Sequence, residues 1–243
     1  VTGTYGVTAT TGNITDTGNL TITGLTTLVT SADGGDITLN GTGHTFTGNV
    51  KVTTNETGTN ADADAWIDGG SSAGLKIEKG SEVQGDLTLR SGHANTITDE
   101  GDSGVVTVDG NLTATTYANN GSITLDELAV DGTIGLNTHG IGAATVVNDA
   151  GIEFAASTVG GALSATATNG HITQTGALDI TGVTTIVAGT SKNITLTTST
   201  NDFKNDVLIT SGNNVSLVDA NAIDLGASTV SGTYAVTATA GGD

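Results

Sequence analysis

The 243-residue chain carries 25 acidic against six basic residues, a net charge of −19, with no cysteine, proline or methionine. That charge argues against nucleic acid or an anionic membrane as a partner, and the missing cysteine excludes disulfides and thiolate metal sites. No apolar run approaches the roughly 20 residues that span a bilayer, and the 37 glycines and many threonines, with apolar residues at alternate positions, predict strands rather than helices.

From the N-terminus, Leu20-x-Ile22, Ile37-x-Leu39 and Val50-x-Val52 predict three-residue strands, and Leu87-x-Leu89, Val106-x-Val108 and Ile194-x-Leu196 continue the series. Corners such as Gly-Asn, Asp-Gly-Gly and Asn-Asn-Gly separate them, where Gly and Asn supply the positive φ of a sharp turn. Val1-Thr-Gly-Thr-Tyr5-Gly-Val7-Thr-Ala-Thr10 returns as Val159-Gly-Gly-Ala-Leu163-Ser-Ala-Thr-Ala-Thr168 and as Val230-Ser-Gly-Thr-Tyr234-Ala-Val236-Thr-Ala-Thr239. Ile14, Leu28, Ile37, Phe46 and Val50 reappear as Ile172, Ile186, Ile194, Phe203 and Val207, an offset of 158 slipping to 157. A shorter offset of 71 relates Ile123-Thr-Leu125 to Ile194-Thr-Leu196, and Ile152 to Val159 with Ile223 to Val230.

With Val83-Gln-Gly-Asp-Leu87 taken as a further copy, the units are 1–82, 83–158, 159–229 and a partial 230–243. One strand set reused unit after unit suits a coil better than a sandwich, whose strands must differ by position. The expected fold is therefore all-β: a single parallel β-helix, or β-solenoid, over 1–243. With roughly 20 to 24 residues per coil, a unit is about three coils and the chain about eleven. Stacked aliphatic ladders then replace a bulky aromatic core.

The phrases Val159 to Gly182, Asn193 to Phe203 and Val215 to Val230 resemble the repeat region of filamentous-hemagglutinin-like bacterial adhesins. The resemblance covers nearly the whole chain except about 55–74. It implies a right-handed parallel β-helix, secretion to the bacterial cell surface through a partner transporter, and roles in attachment, biofilm matrix or contact-dependent antagonism. The family's N-terminal secretion domain is not recognisable, so the segment corresponds to shaft. Val1 starts directly on repeat sequence, which reads as a mature or excised segment of a secreted protein.

The pattern breaks at about 55–74, an insertion loop that lengthens the unit and contains Asn60-Ala-Asp62-Ala-Asp64-Ala-Trp66-Ile-Asp68-Gly-Gly70. Alternate carboxylates at Asp62, Asp64 and Asp68 are candidate Ca²⁺ ligands, although the spacing departs from the EF-hand register; a solvated acidic loop is the alternative. No other cofactor is expected. Trp66 is a candidate binding residue, as a sugar-stacking platform or subunit contact, or it pins the insert to the shaft.

Parallel β-helices also host polysaccharide lyases and hydrolases, whose chemistry needs clustered carboxylates or a base beside calcium. Here Asp36, Asp86, Asp109, Asp179 and Asp224 recur at polar strand or corner positions, and His93 and His171 share one Gly-His corner. The expectation is a non-enzyme, with a carbohydrate-binding or carbohydrate-cleaving β-helix as the alternative class. Thr-x-Thr pairs at Thr8, Thr21, Thr113, Thr166 and Thr237 raise ice binding as a third reading, but they return too sparsely to form an unbroken rank. Neither end resembles a polar cap, so Val1, Tyr5 and Val7 at one end and Val230, Tyr234 and Val236 at the other are candidate self-assembly surfaces. Partners are then a second copy stacked head to tail or a continuation of the same polypeptide, with glycans or proteins of the host or matrix as further partners.

Overall fold

The computed structural model describes residues 1–57, 62–92, 96–101 and 103–239, and every regular element among them is a β-strand. Two long parallel sheets form opposed faces of a coil. On the first face, the strands Tyr5–Ala9, Thr26–Thr30, Val50–Thr53, Glu82–Val83, Val106–Val108, Ile123–Val130, Ala144–Asn148, Leu163–Ala167, Thr184–Val187 and Val207–Ser211 follow one another in order. The second face stacks Ile14–Thr15, Ile37–Leu39, Ala65–Asp68, Leu87–Ser91, Leu112–Asn119, Thr133–His139, Ile152–Phe154, Ile172–Gln174, Ile194–Leu196, Val215–Asp219 and Tyr234–Ala238. Short third strands, Thr21–Ile22 with Thr45–Phe46 and later Ser157–Val159, Leu178–Ile180 and Asp202–Phe203, close the triangle in parts of the coil.

Register converts the two-residue alternation of each strand into ladders along the axis. Val7, Leu28 and Val52 stand in one column; Ile37, Ala65, Leu87, Leu112 and Ile134 stand in another. Nearly all are fully buried, and burying each Val, Leu or Ile contributes about 1.5 to 3 kcal/mol. The three phenylalanines, Phe46, Phe154 and Phe203, are also buried. Corners stack as tightly as faces. Gly24 N–H donates to Gly3 O at 3.2 Å and Gly182 N–H to Gly161 O at 2.9 Å, and a Cβ at Gly24 would meet the Gly3 carbonyl at 2.7 Å. Only glycine permits that approach.

About ten coils are present, in keeping with the roughly eleven expected: ten strands succeed one another on the first face, and the Leu225 bridge to Val207 carries it one step further. Coils are long near the N-terminus, as from Ile37 to its partner Ala65, and shorter in the middle of the chain, as from Ala144 to its partner Leu163. The expected insertion loop at 55–74 contains a regular strand, Ala65–Asp68, paired on both sides. Its inward residues Ala63, Ala65 and Ile67 are buried, so the extra length lies before and after the strand. Residues 58–61 of that loop are outside the described residues.

The units also differ in phase from the expected three coils. Sequences related by the long offset share a face: Ile14 and Ile172 on the second, Leu28 and Ile186 on the first. Sequences related by the short offset change face. Ile123-Thr-Leu125 lies on the first face and its copy Ile194-Thr-Leu196 on the second, while Ile152–Phe154 lies on the second and its copy reaches the first through Leu225. Starting from Ile123, register pairing through Ala144 and Leu163 reaches Thr184 after three full coils. The copy of Ile123 is not Thr184 but Ile194, one strand further on and across the coil. The short repeat therefore adds about half a coil, and each unit winds through three and a half.

Candidate functional site

The position before most second-face strands carries a side chain that accepts a hydrogen bond from the next coil, the glycines Gly132 and Gly151 interrupting the column. Asn13 Oδ1 accepts from Asp36 N–H at 3.0 Å, Asp36 Oδ1 from Asp64 N–H at 3.2 Å, and Asp64 Oδ1 from Asp86 N–H at 2.8 Å. Asp86 Oδ1 accepts from Asn111 N–H at 2.7 Å, and Asn111 Oδ1 from Thr133 N–H at 2.8 Å. The column resumes with His171 Nδ1 accepting from Asn193 N–H at 2.8 Å, then Asn193 from Asn214 at 3.2 Å and Asn214 from Thr233 at 3.1 Å. Short Asx side chains suit this task because their carbonyl oxygen reaches a neighbouring backbone N–H without leaving the corner.

Three successive rungs, Asp36, Asp64 and Asp86, are carboxylates. Partial burial of the otherwise exposed Asp64 pushes its carboxyl above its ordinary value, and the charges of Asp86, Asp36 and Asp62 push the same way against the lowering effect of the Asp86 N–H. Beside them runs a groove of about 220 Å³, lined by Asp36, Thr38, Asp64, Trp66, Asp86 and Thr88 together with Ala65. Among the described residues no lysine, arginine or histidine lines it. Trp66, the chain's single tryptophan, sits in register between Thr38 and Thr88 on the outer side of the sheet and is 38% exposed.

Asp68 follows on the same outer row but is fully buried. Its Oδ1 accepts from Gly70 N–H at 2.8 Å and from the Tyr117 hydroxyl at 3.1 Å. Arg90 pairs with Asp68 in register, its Nη1 lies 3.9 Å from Asp68 Oδ2, and its guanidinium covers the Tyr117 ring at 4.9 Å. Burial and then the Asp68 charge push the Tyr117 hydroxyl up to about 12, with Arg90 opposing. Among the described residues Asp68 Oδ2 has no hydrogen-bond partner.

The expected calcium set is thus spread out: Asp62 and Asp64 are exposed, whereas Asp68 is engaged with Gly70 and Tyr117. Among the described residues no three His, Cys, Asp or Glu side chains are grouped to hold one metal ion. Asp36, Asp86, Arg90 and Tyr117 complete the region, and sequence reasoning had assigned none of them to a site. The available signal was Asx immediately before an aliphatic strand, at Asn13-Ile, Asp36-Ile, Asp86-Leu, Asn111-Leu, Asn193-Ile and Asn214-Val.

Of the Thr-x-Thr pairs, Thr8 and Thr166 lie on the first face and Thr113 and Thr237 on the second, so they form no single rank. His93 lies outside the described residues. At the N-terminal end Tyr5 and Val7 help line an open hollow of about 380 Å³ with Ile14 and Leu28, and Val1 is exposed. At the other end Tyr234 is exposed, while Val230 and Val236 pack partly buried against the core.

Parallel coils, face-swapping repeats and an interstrand Asx column define the chain as a repeat β-solenoid. It belongs to the family described as repeats of unknown function, DUF5649, whose model matches residues 1–53, 68–137, 141–210 and 212–243. No curated protein and no solved structure matches it.

Proposed function

We propose that the chain is a length of non-catalytic structural shaft in a secreted bacterial surface protein, serving attachment or the assembly of an extracellular matrix. The observation that carries this reading is the unbroken parallel stack. Every coil hydrogen-bonds to the coils beside it along the axis, as in the steps Val7–Leu28–Val52 and Ile194–Val215–Tyr234. Bonds parallel to the axis make a stiff spacer, and a quasi-one-dimensional repeat lengthens without new topology. The resemblance to filamentous-hemagglutinin-like adhesins and the net charge of −19, which keeps neighbouring rods apart at low salt, support the same reading. Further coils of one polypeptide, or a second copy stacked head to tail, pair in this reading with the outermost described strands, Tyr5–Ala9 and Tyr234–Ala238.

Electron microscopy of the purified chain tests the shaft. Expected are rods roughly 50 Å long, or fibres built from segments of that length, since ten coils at about 4.8 Å set the axial dimension. Irregular globular particles would overturn it. Display of the chain on a bacterial surface then tests attachment, with loss of adhesion on its deletion as the expected result.

A further inference from the structure

We infer that the face around Trp66 is a docking site for a cationic segment of a partner polypeptide, whose arginine or lysine head group lies over the indole beside Asp36, Asp64 and Asp86. The first support is an excess of charge over structural need. The hydrogen bonds made by Asp36, Asp64 and Asp86 are the same bonds that Asn13, Asn111, Asn193 and Asn214 make elsewhere in the column. An amide suffices for the coil, yet three consecutive rungs are carboxylates, and Asp64 is held against ionisation in part by its neighbours. A bound cation relieves that repulsion; a neutral ligand does not.

The second support is independent of charge. On the outer row the residues in register on either side of Trp66, Thr38 and Thr88, and the next one, Thr113, are threonines, and the corresponding rung of the later copy is Ser216. A large indole there buries no core and leaves part of its surface to solvent. It lines a groove sized for a head group rather than a folded element. An indole face attracts guanidinium and ammonium groups, and carboxylates at its margin supply charge-assisted hydrogen bonds. The surrounding acidic field speeds encounter with a basic segment.

Because Trp66 is the only tryptophan, its emission reports on this face alone. The full chain is titrated at low ionic strength with the peptide Gly-Arg-Gly-Arg-Gly, and with a neutral cello-oligosaccharide in a parallel arm. Expected is a saturable change in emission with the peptide, weakened about tenfold by Asp64→Asn, where one charge-assisted contact is lost, and by less than about twofold by Asp131→Asn at a distant exposed carboxylate. Asp64→Asn keeps the rung's hydrogen-bond acceptor, so its melting curve remains cooperative. The proposal is overturned by an absence of saturable change, by equal weakening in the two variants, which means diffuse charge attraction, or by oligosaccharide binding that Asp64→Asn leaves intact.

Discussion

Two stretches of the second face occupy equivalent places in the early and late copies and do the same mechanical work with different chemistry. In the first, Asp36 and Asp64 accept the next coil's N–H, with Trp66 and Asp68 following on the outer row. In the second, Asn193 and Asn214 accept it, followed by Ser216 and Val218. Hydrogen bonding and charge are therefore separable here: the bond belongs to the coil, and the charge is an addition confined to one region.

The largest expected difference is at Asp68 and Val218. Asp68→Ala leaves Gly70 N–H and the Tyr117 hydroxyl without their acceptor and Arg90 without its counter-ion, for a loss of about 2 to 3 kcal/mol in urea unfolding. Val218→Ala, at a half-buried outward position, costs less than about 1 kcal/mol. Equal losses would mean that the Asp68 network contributes nothing beyond packing.

Next come the rungs themselves. Asn214→Ala removes the acceptor for Thr233 N–H and its hydroxyl and lowers stability by about 1 kcal/mol. Asp64→Ala loses a comparable bond, but relief of repulsion from Asp36, Asp62 and Asp86 offsets part of the loss, so the decrease is about half as large. Asp64→Asn, which keeps the bond and drops the charge, raises stability by about 0.5 kcal/mol. A clear loss in that variant would show that the carboxylate itself holds the coil.

The smallest effect is on pH dependence. Asp64 and the buried Asp99 both have carboxyls raised above the ordinary value of 3.8, chiefly by burial. The native state then binds more protons than the unfolded chain between 3.8 and those raised values. From these two groups stability increases as pH falls through that window and is lost as pH rises back through it, with no further change above the raised values. Urea midpoints measured across mildly acidic pH check the sign, and Asp64→Asn removes one of the two contributions.

The fold was legible because inward and outward residues alternate in most strands: Ile37-x-Leu39, Val106-x-Val108 and Ile194-x-Leu196 are strands with the predicted bounds. Trp66 was legible as the anomaly of an irregular segment. The Asx column was hidden because an Asp or Asn in a Gly-rich corner reads equally well as solvated, and its partner lies a full coil away along the chain. Asp68 was singled out as a candidate ligand, but its burial was hidden because its partners Arg90 and Tyr117 come from two later coils. The half-coil phase escaped because an offset of 71 divides plausibly into three coils of equal length. Only the register, from Ile123 through Ala144 and Leu163 to Thr184, shows that the coils of that region are too short for such a division.

The central claim, that one repeat winds three and a half coils and alternates faces, is tested most directly by engineered disulfides in this cysteine-free chain. Adjacent parallel strands place paired Cα atoms within disulfide range, and Ser216 pairs with Ala235 in the structure. Three-coil units would instead set Ala235 above Leu208 on the first face, as Ser164 lies on that face in the earlier copy. The account predicts that Ser216→Cys with Ala235→Cys cross-links on mild oxidation while Leu208→Cys with Ala235→Cys does not, and the reverse outcome would contradict it.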